Sequence, residues 1–364
     1  MKITDIKIGY ISVPLKKPFK TALRTVEAVN DVIVQVITDT GHVGYGEAPP
    51  TGPITGDTKG AIVGAIEDHI KPAIMGMDIE GFEVLMAKLQ ASVVGNTSAK
   101  AAVDIALYDL FGQLHNAPVY KLLGGSKTEI ITDITISVNS PEQMAKDSIE
   151  AVGLGYETLK IKVGKDAQLD IERMKAIRAA VGYDVQLRID ANQGWKPKEA
   201  VEALNKMEAA GLNIEFVEQP VAAHDLEGMK YVKDHVSIPV LADESVHSPM
   251  DAMKVIEMGA ADLVNIKLMK AGGLHNALKI AAIAEVHGVE CMIGCMLEAK
   301  ISVNAAVHLA ASRDIITKID LDGPILCSED PVAGGAVFEE YKITLNNEPG
   351  FGVKSIKGLV FKEN

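Results

Sequence analysis

Cysteine is scarce in this chain of 364 residues: only Cys291, Cys295 and Cys327 occur. An odd, sparse set cannot build a disulfide framework, so a reducing compartment, the cytoplasm, is the expectation. Cys291 and Cys295 fall on one predicted strand and read as small buried apolar residues. Basic charge is also short. Lys and Arg number 36 against 49 Asp and Glu, a net charge of −13. That balance speaks against a nucleic-acid partner, whose binding rests on clustered cations, and it supplies no polybasic patch for a membrane surface. No stretch approaches the roughly 18 apolar residues a membrane helix needs. The opening stretch MKITDIKIGYISVP alternates like a strand and lacks the apolar centre of a secretory signal. None of the nine histidines makes an H-x-H or H-E-x-x-H zinc pattern. Gly272-Gly273 lacks the downstream pattern of a phosphate cradle and reads as a tight turn.

The rest of the composition, 48% hydrophobic and 23% charged, is that of a soluble globular enzyme, long enough for a barrel plus a smaller partner. The first part looks antiparallel. Ile3 to Val13 and Asp31 to Thr38 read as strands, and Thr40-Gly41 turns the chain into HVGYGEA. Helical stretches follow at Lys59 to Ile74 and at Ser98 to Leu114, the second with Ser98 as a predicted N-cap.

Near Gly124-Gly125 the rhythm changes. Short β-branched runs recur roughly every 23 to 29 residues, centred near Ile134, Ile161, Ile189, Val217, Leu241, Asn265, Ile293 and Ile319. Helical stretches lie between them, such as Pro141 to Val152, Asp170 to Val181, Pro197 to Ala210 and Pro249 to Met258. This alternation predicts an α/β fold, a (β/α)7β-type barrel. A doubly wound open sheet is the alternative, but its Gly-rich phosphate fingerprint is missing. The expected organisation is an α+β capping domain over 1–124, a barrel over 125–324, and a segment over 325–364 that returns to the cap.

Five charged residues stand at or near the ends of these apolar runs: Lys162 in TLKIKVG, Asp190 in QLRIDAN, Glu218 in EFVEQP, Asp243 in VLADES and Lys267 in LVNIKLM. Alternate side chains of a strand share a face, which pairs Lys160 with Lys162, Asp190 with Asn192, Asn265 with Lys267, and Asp320 with Asp322. In a closed barrel such charges must be paired, bound to metal, or placed at the open mouth. The C-terminal mouth is where barrel enzymes build their sites. Three carboxylates from consecutive strand ends, about 4.8 Å apart, can converge on one hard cation, and all-oxygen ligation favours Mg²⁺.

A lysine is a poor base at its ordinary pKa of about 10.4. A neighbouring cation lowers it, and Lys160 or the metal would do this for Lys162. Lys267 comes from four strands further round, on the opposite side. Two such groups flanking one carbon fit removal of a proton from one face and its return to the other. A carbon α to a carboxylate permits this if a cation stabilises the enediolate. The plainer readings are rim carboxylates, and lysines that only pair with them. Three acids on consecutive strands between two lysines weigh against both.

With these residues in place the chain resembles the enolase superfamily, in its muconate-lactonizing subgroup. The likeness rests on Lys160-Ile161-Lys162, Asp190, Glu218, Asp243 and Lys267, and it spans nearly the whole chain. Within the subgroup the chain is most similar to dipeptide epimerases of the L-Ala-D/L-Glu type, in KPFKTALRT, PPTGPITGD, RIDANQGW, NIKLMKAGG and IDLDGP. The resemblance implies an Mg²⁺-dependent 1,1-proton transfer on an L-Ala-L-Glu-like dipeptide. Lys162 and Lys267 would be catalytic, supported by Lys160, with Asp190, Glu218 and Asp243 on the metal. It further implies that Asp320 and Asp322 bind the dipeptide ammonium, that Arg24 binds the glutamate side chain, and that the protein is a homo-oligomer. Two carboxylates on one face of a strand end also suit an ammonium ion on chemical grounds alone. Muconate cycloisomerisation and o-succinylbenzoate synthesis use the same lysines but have no need of that pair. A non-catalytic metabolite-binding relic would have no need of both lysines and all three acids. Glu298 has no assigned role, Arg188 none beyond charge pairing deeper in the barrel, and Trp195 and His308 read as packing residues.

Overall fold

A long antiparallel hairpin opens the chain. In the computed structural model, which describes residues 1–21 and 25–363, strand Ile3–Lys20 pairs with Thr25–Thr38, and Val43–Ala48 adds to the second of these. Both hairpin strands run further than the alternation indicated. Ile6, Ile8, Val32, Val34 and Val36 turn to the main core while Asp5, Lys7 and Gln35 stay partly or fully exposed, and Ile11, Val13, Val29 and Ile33 bury the other face further along in a second cluster; this patterned burial fixes register. The helix Thr97–Leu114 lies on this sheet. Gly44 and Gly46 allow that approach: a Cβ on Gly46 would fall 1.7 Å from the carbonyl oxygen of Ala102.

Two local expectations need correction. Ser98 is not the N-cap but lies inside the helix, and Asn96 holds the cap position. The end is instead satisfied from a distance, because the Ser98 backbone N–H donates to Asp57 at 2.9 Å. The stretch Lys59 to Ile74 is continuous, but Ala65–Ile70 within it is a π-helical segment, an irregularity that apolar spacing alone does not reveal.

The second sheet holds eight strands in sequential order. They are Ile134–Ile136, Thr158–Lys162, Gln186–Asp190, Ile214–Glu218, Val240–Ala242, Leu263–Lys267, Cys291–Gly294 and Ile316–Asp320. All neighbouring pairs are parallel, and a helix joins each strand to the next. Several of these helices start where the sequence placed a proline after a polar cap: Ser140 Oγ accepts from Gln143 N–H and Ser248 Oγ from Asp251 N–H. The first and last strands meet through Asp133 N–H on the Ile319 carbonyl and Leu321 N–H on Thr132 Oγ1, which nearly closes the barrel. The predicted (β/α)7β architecture with an antiparallel cap is the one observed. The final strand, Val360–Phe361, pairs with the first strand of the cap, and Lys342–Thr344 extends Glu129–Ile131 just ahead of the barrel.

Candidate active site

The parallel strands deliver their charged ends to one mouth. Lys162 and Asp190 are register partners on adjacent strands, and so are Asp190 and Glu218. The Lys162 ammonium lies 2.5 Å from Asp190 Oδ2. Lys160, fully buried on the same strand face, reaches three acids, at 2.6 Å from Glu218, 2.7 Å from Asp320 and 3.3 Å from Asp190. On the other side Lys267 lies 2.8 Å from Asp243 Oδ2. Asp320 and Asp322 line the same pocket as Lys162, Lys267 and Asp243, and Phe19, Pro53 and Ile54 of the cap cover it. The barrel therefore brings together every sequence-predicted site residue that falls among the described ones. Arg24 lies outside the described residues.

Burial and charge act in opposite directions here. Burial presses Lys160 toward neutrality, but Asp320, Glu218 and Asp190 outweigh it and hold the ammonium well above the ordinary lysine range. Lys267 is also held high, because Asp243 more than offsets its burial. Despite their own burial, Lys162 and Lys160 keep Asp190 low, and Lys267 and Lys270 keep Asp243 low. Glu218 behaves differently: burial, with Asp190 beside it, pushes it up to about 7. Glu244 is raised to about 8 by burial and by Asp243. Asp322 is raised to about 6 by burial and by Asp320. The lysines present do not balance the buried acids, and a further cation would relieve them.

The donor set fits a hard divalent ion. Among the described residues no three acidic, cysteine or histidine side chains enclose such a position as they stand; lysine ammonium groups lie against the carboxylates. Yet Glu218 Oε2 and Asp243 Oδ1, although ion-paired with lysines, make no well-directed hydrogen bond. Their lone pairs, with those of Asp190, could serve a metal.

Residues 143–356 match the enolase C-terminal domain-like family, and residues 3–124 match the mandelate racemase/muconate lactonizing enzyme N-terminal domain. The chain belongs to the enolase superfamily. Its relatives there include an L-Ala-D/L-Glu epimerase of Clostridium acetobutylicum, 65% identical over 98% of this chain and 99% of that one. Another of the same name, from Bacillus subtilis, is 51% identical over 97% of each. The structure of a substrate-liganded L-Ala-D/L-Glu epimerase from Bacillus subtilis superposes with a TM-score of 0.96 at 50% identity, covering 98% of this chain and 99% of that one. A dipeptide epimerase from Enterococcus faecalis, complexed with Mg and L-Leu-L-Tyr, superposes with a TM-score of 0.94 at 44% identity, covering 98% and 100%.

Within this superfamily framework the structure adds a lysine the strand pattern missed and gives partners to residues that pattern had placed. Lys270 is fully buried, 2.7 Å from Asp243 Oδ1, and also donates to the backbone carbonyls of Asp243 and Asn265. It sits in the helical turn Leu268–Ala271 after the sixth strand, so strand alternation could not flag it; its spacing from Lys267 was the available signal. Asn265 donates to Glu218 Oε1 at 2.7 Å, and Asn192 donates to Asp190 and Glu244. Thr135 N–H donates to Asp322 Oδ2 at 2.8 Å. Arg188 pairs with Asp133 at 2.7 Å and Glu215 at 2.6 Å, the deeper charge pairing expected of it. Glu298 accepts from Met296 N–H at 2.6 Å and from the Ser302 hydroxyl, which braces the loop after the seventh strand. Cys295 lies one residue beyond that strand, half-buried, and lines the pocket while packing against the core.

Proposed function

We propose that this chain is an Mg²⁺-dependent dipeptide epimerase acting at the α-carbon of the C-terminal residue of an L-Ala-L-Glu-like dipeptide. The carrying observation is the placement of Lys162 and Lys267 on strands two and six of eight, each against a different acid of one carboxylate cluster. Asp190, Glu218 and Asp243 would hold the metal. Bound there, Mg²⁺ supplies positive charge that stabilises the substrate carboxylate while its α-carbon is carbanionic.

The remaining work falls to the chain's own side chains. One lysine accepts the α-proton and the opposite lysine, protonated, returns one to the other face, which inverts the centre. Lys267, kept charged by Asp243, is suited to donate. Lys160 remains an ammonium at the base of the cluster and offsets the three acids it touches. Asp320 and Asp322 take the dipeptide ammonium; two buried carboxylates two residues apart repel each other, and a second cation relieves that cost. The pair has no counterpart need in muconate cycloisomerisation or o-succinylbenzoate synthesis. Arg24 would meet the glutamate side chain. The relatives' names, L-Ala-D/L-Glu epimerase at 65% and 51% identity, support the same reading. A cytoplasmic, homo-oligomeric enzyme is part of the proposal, and among the described residues no helix is long and apolar enough to cross a membrane.

Incubating L-Ala-L-Glu with the protein in D₂O tests it. Deuterium should enter at the Glu α-carbon with Mg²⁺ present and stop on chelation. Absence of exchange with Mg²⁺ present would end the proposal.

A further inference from the structure

A second cavity, of about 390 Å³, lies beside the candidate active site. It sits between the end of the first cap strand, the first barrel strand and the helix Pro141–Gly153. Ile134, Ile136, Ala151 and Ile325 make much of its wall apolar. Phe19, Thr135 and Leu326 line both this cavity and the catalytic pocket, so the partition between the two spaces is a single layer of side chains. The partition abuts the proposed ammonium subsite, because Thr135 N–H is bonded to Asp322.

One polar group in the wall is unexplained by the fold. Tyr156 is 2% exposed, and its hydroxyl has no hydrogen-bond partner among the described residues. An unpaired buried hydroxyl is costly, so this one suits a ligand that brings an acceptor. Of the charged groups at its edge, Lys17 is paired with Glu150 at 2.8 Å and with Asp147 at 3.5 Å, and Lys16, Lys20 and Glu340 also line it.

We infer that this cavity receives the side chain of the substrate's N-terminal residue, and that the preferred side chains are long and uncharged, such as leucine, methionine or glutamine. The inference rests on the epimerase reading above. An ammonium held by Asp320 and Asp322 places the N-terminal α-carbon one bond away from it, against the partition formed by Phe19, Thr135 and Leu326. A side chain longer than a methyl then has only the neighbouring cavity to enter. Apolar walls reward its burial. Glutamine's side-chain carbonyl can accept from the Tyr156 hydroxyl. A charged side chain would lose its water against the apolar wall of Ile134, Ile136, Ala151 and Ile325, which offers it no partner.

The experiment compares α-deuteration rates of Ala-Glu, Leu-Glu, Met-Glu, Gln-Glu, Lys-Glu and Asp-Glu, with Mg²⁺. The Leu, Met and Gln substrates should run within about tenfold of Ala-Glu, and the Lys and Asp substrates at least roughly a hundredfold slower, the scale of discrimination expected from an unpaired buried group. Ala151→Phe, which fills the cavity, should lower kcat/KM for Leu-Glu and Met-Glu relative to Ala-Glu by about tenfold or more. Tyr156→Phe should lower Gln-Glu relative to Leu-Glu. If Ala-Glu is deuterated while the Leu, Met and Gln substrates run a hundredfold slower, or if the Ala151→Phe ratios do not move, the inference is overturned and the epimerase reading stands. If no dipeptide is deuterated, both fall.

Discussion

Lys162 and Lys267 hold different acids of one cluster, Asp190 at 2.5 Å and Asp243 at 2.8 Å, from strands four places apart in a sheet of eight. Each can therefore reach only one face of a carbon placed between them. Replacing either lysine with alanine should remove epimerisation by roughly a hundred- to ten-thousandfold, the usual scale for a lost general acid or base. The stereochemical outcome is the sharper test. Each single variant should still exchange the α-proton of one epimer of Ala-Glu, without inversion, and the two variants should spare opposite epimers. NMR of L-Ala-L-Glu and L-Ala-D-Glu in D₂O reads this directly. Equal loss with both epimers in both variants would rule out the two-sided arrangement.

Asp320 already carries an ammonium, that of Lys160, at 2.7 Å. A second one, from the substrate, should bind through the same pair of acids. Asp320→Asn should cost Ala-Glu roughly 10- to 100-fold in kcat/KM, the value of a hydrogen bond to a charged group. N-propionyl-Glu has the same shape but no ammonium. The preference of the wild type for Ala-Glu over this analogue should shrink in the variant, a double-mutant comparison that separates ammonium binding from damage to Lys160. An unchanged preference would remove Asp320 from the ammonium site.

The parts of this site legible in the sequence were those governed by strand periodicity. Charge at alternate positions at the end of an apolar run marks a barrel mouth, and Lys160, Lys162, Asp190, Glu218, Lys267 and Asp320 all follow that rule, with Asp243 one residue past its strand. Lys270 escaped because it sits one helical turn past its strand, where alternation has ended. The partners of Arg188, Asp133 and Glu215, were hidden because Asp133 meets it only when the barrel closes. The π-helical turn at Ala65–Ile70 keeps a helical apolar spacing, so no periodic signal distinguishes it. Ser98 looked like a cap by residue type, yet Asp57, 41 residues earlier, provides the bond.

His308 offers a stability test far from the chemistry. It is buried on the helix Lys300–Ala310, and its Nδ1 accepts from Tyr120 N–H at 3.1 Å, which requires the neutral ring. Burial pushes its pKa down to about 3. The unfolded chain binds this proton near pH 6.5, so the unfolded state holds more protons between those values. Stability from this residue is complete above about pH 6.5 and is lost as the pH falls toward about 3, at up to about 1.4 kcal/mol per pH unit. Urea unfolding of the wild type and His308→Gln at pH 7, 6 and 5 should show a shallower pH slope in the variant. Parallel slopes would mean that the ring is not held neutral.

Gly46 links the packing of the cap to the site. Its strand, Val43–Ala48, lies against the helix Thr97–Leu114, and an added Cβ would stand 1.7 Å from Ala102 O and 2.7 Å from Ala102 C. Both are backbone atoms, so no rotamer change can make room. The next residue, Glu47, accepts from Ser302 N–H at 2.9 Å and from Ala299 N–H at 3.2 Å, tying the same strand to the barrel loop that follows the seventh strand. Gly46→Ala must therefore push the helix away or move the strand, and with it that loop. The expected cost is about 1–3 kcal/mol or more, the range for overpacking, with a further fall in kcat/KM at temperatures where the variant is still folded. Gly60→Ala is the control. It lies in the helix Lys59–Gly64 with open space around an added Cβ, and alanine there should be neutral or stabilise by up to about 1 kcal/mol. Thermal melts of the two variants settle the matter: equal melting temperatures would mean that the close contact between strand and helix is not rigid.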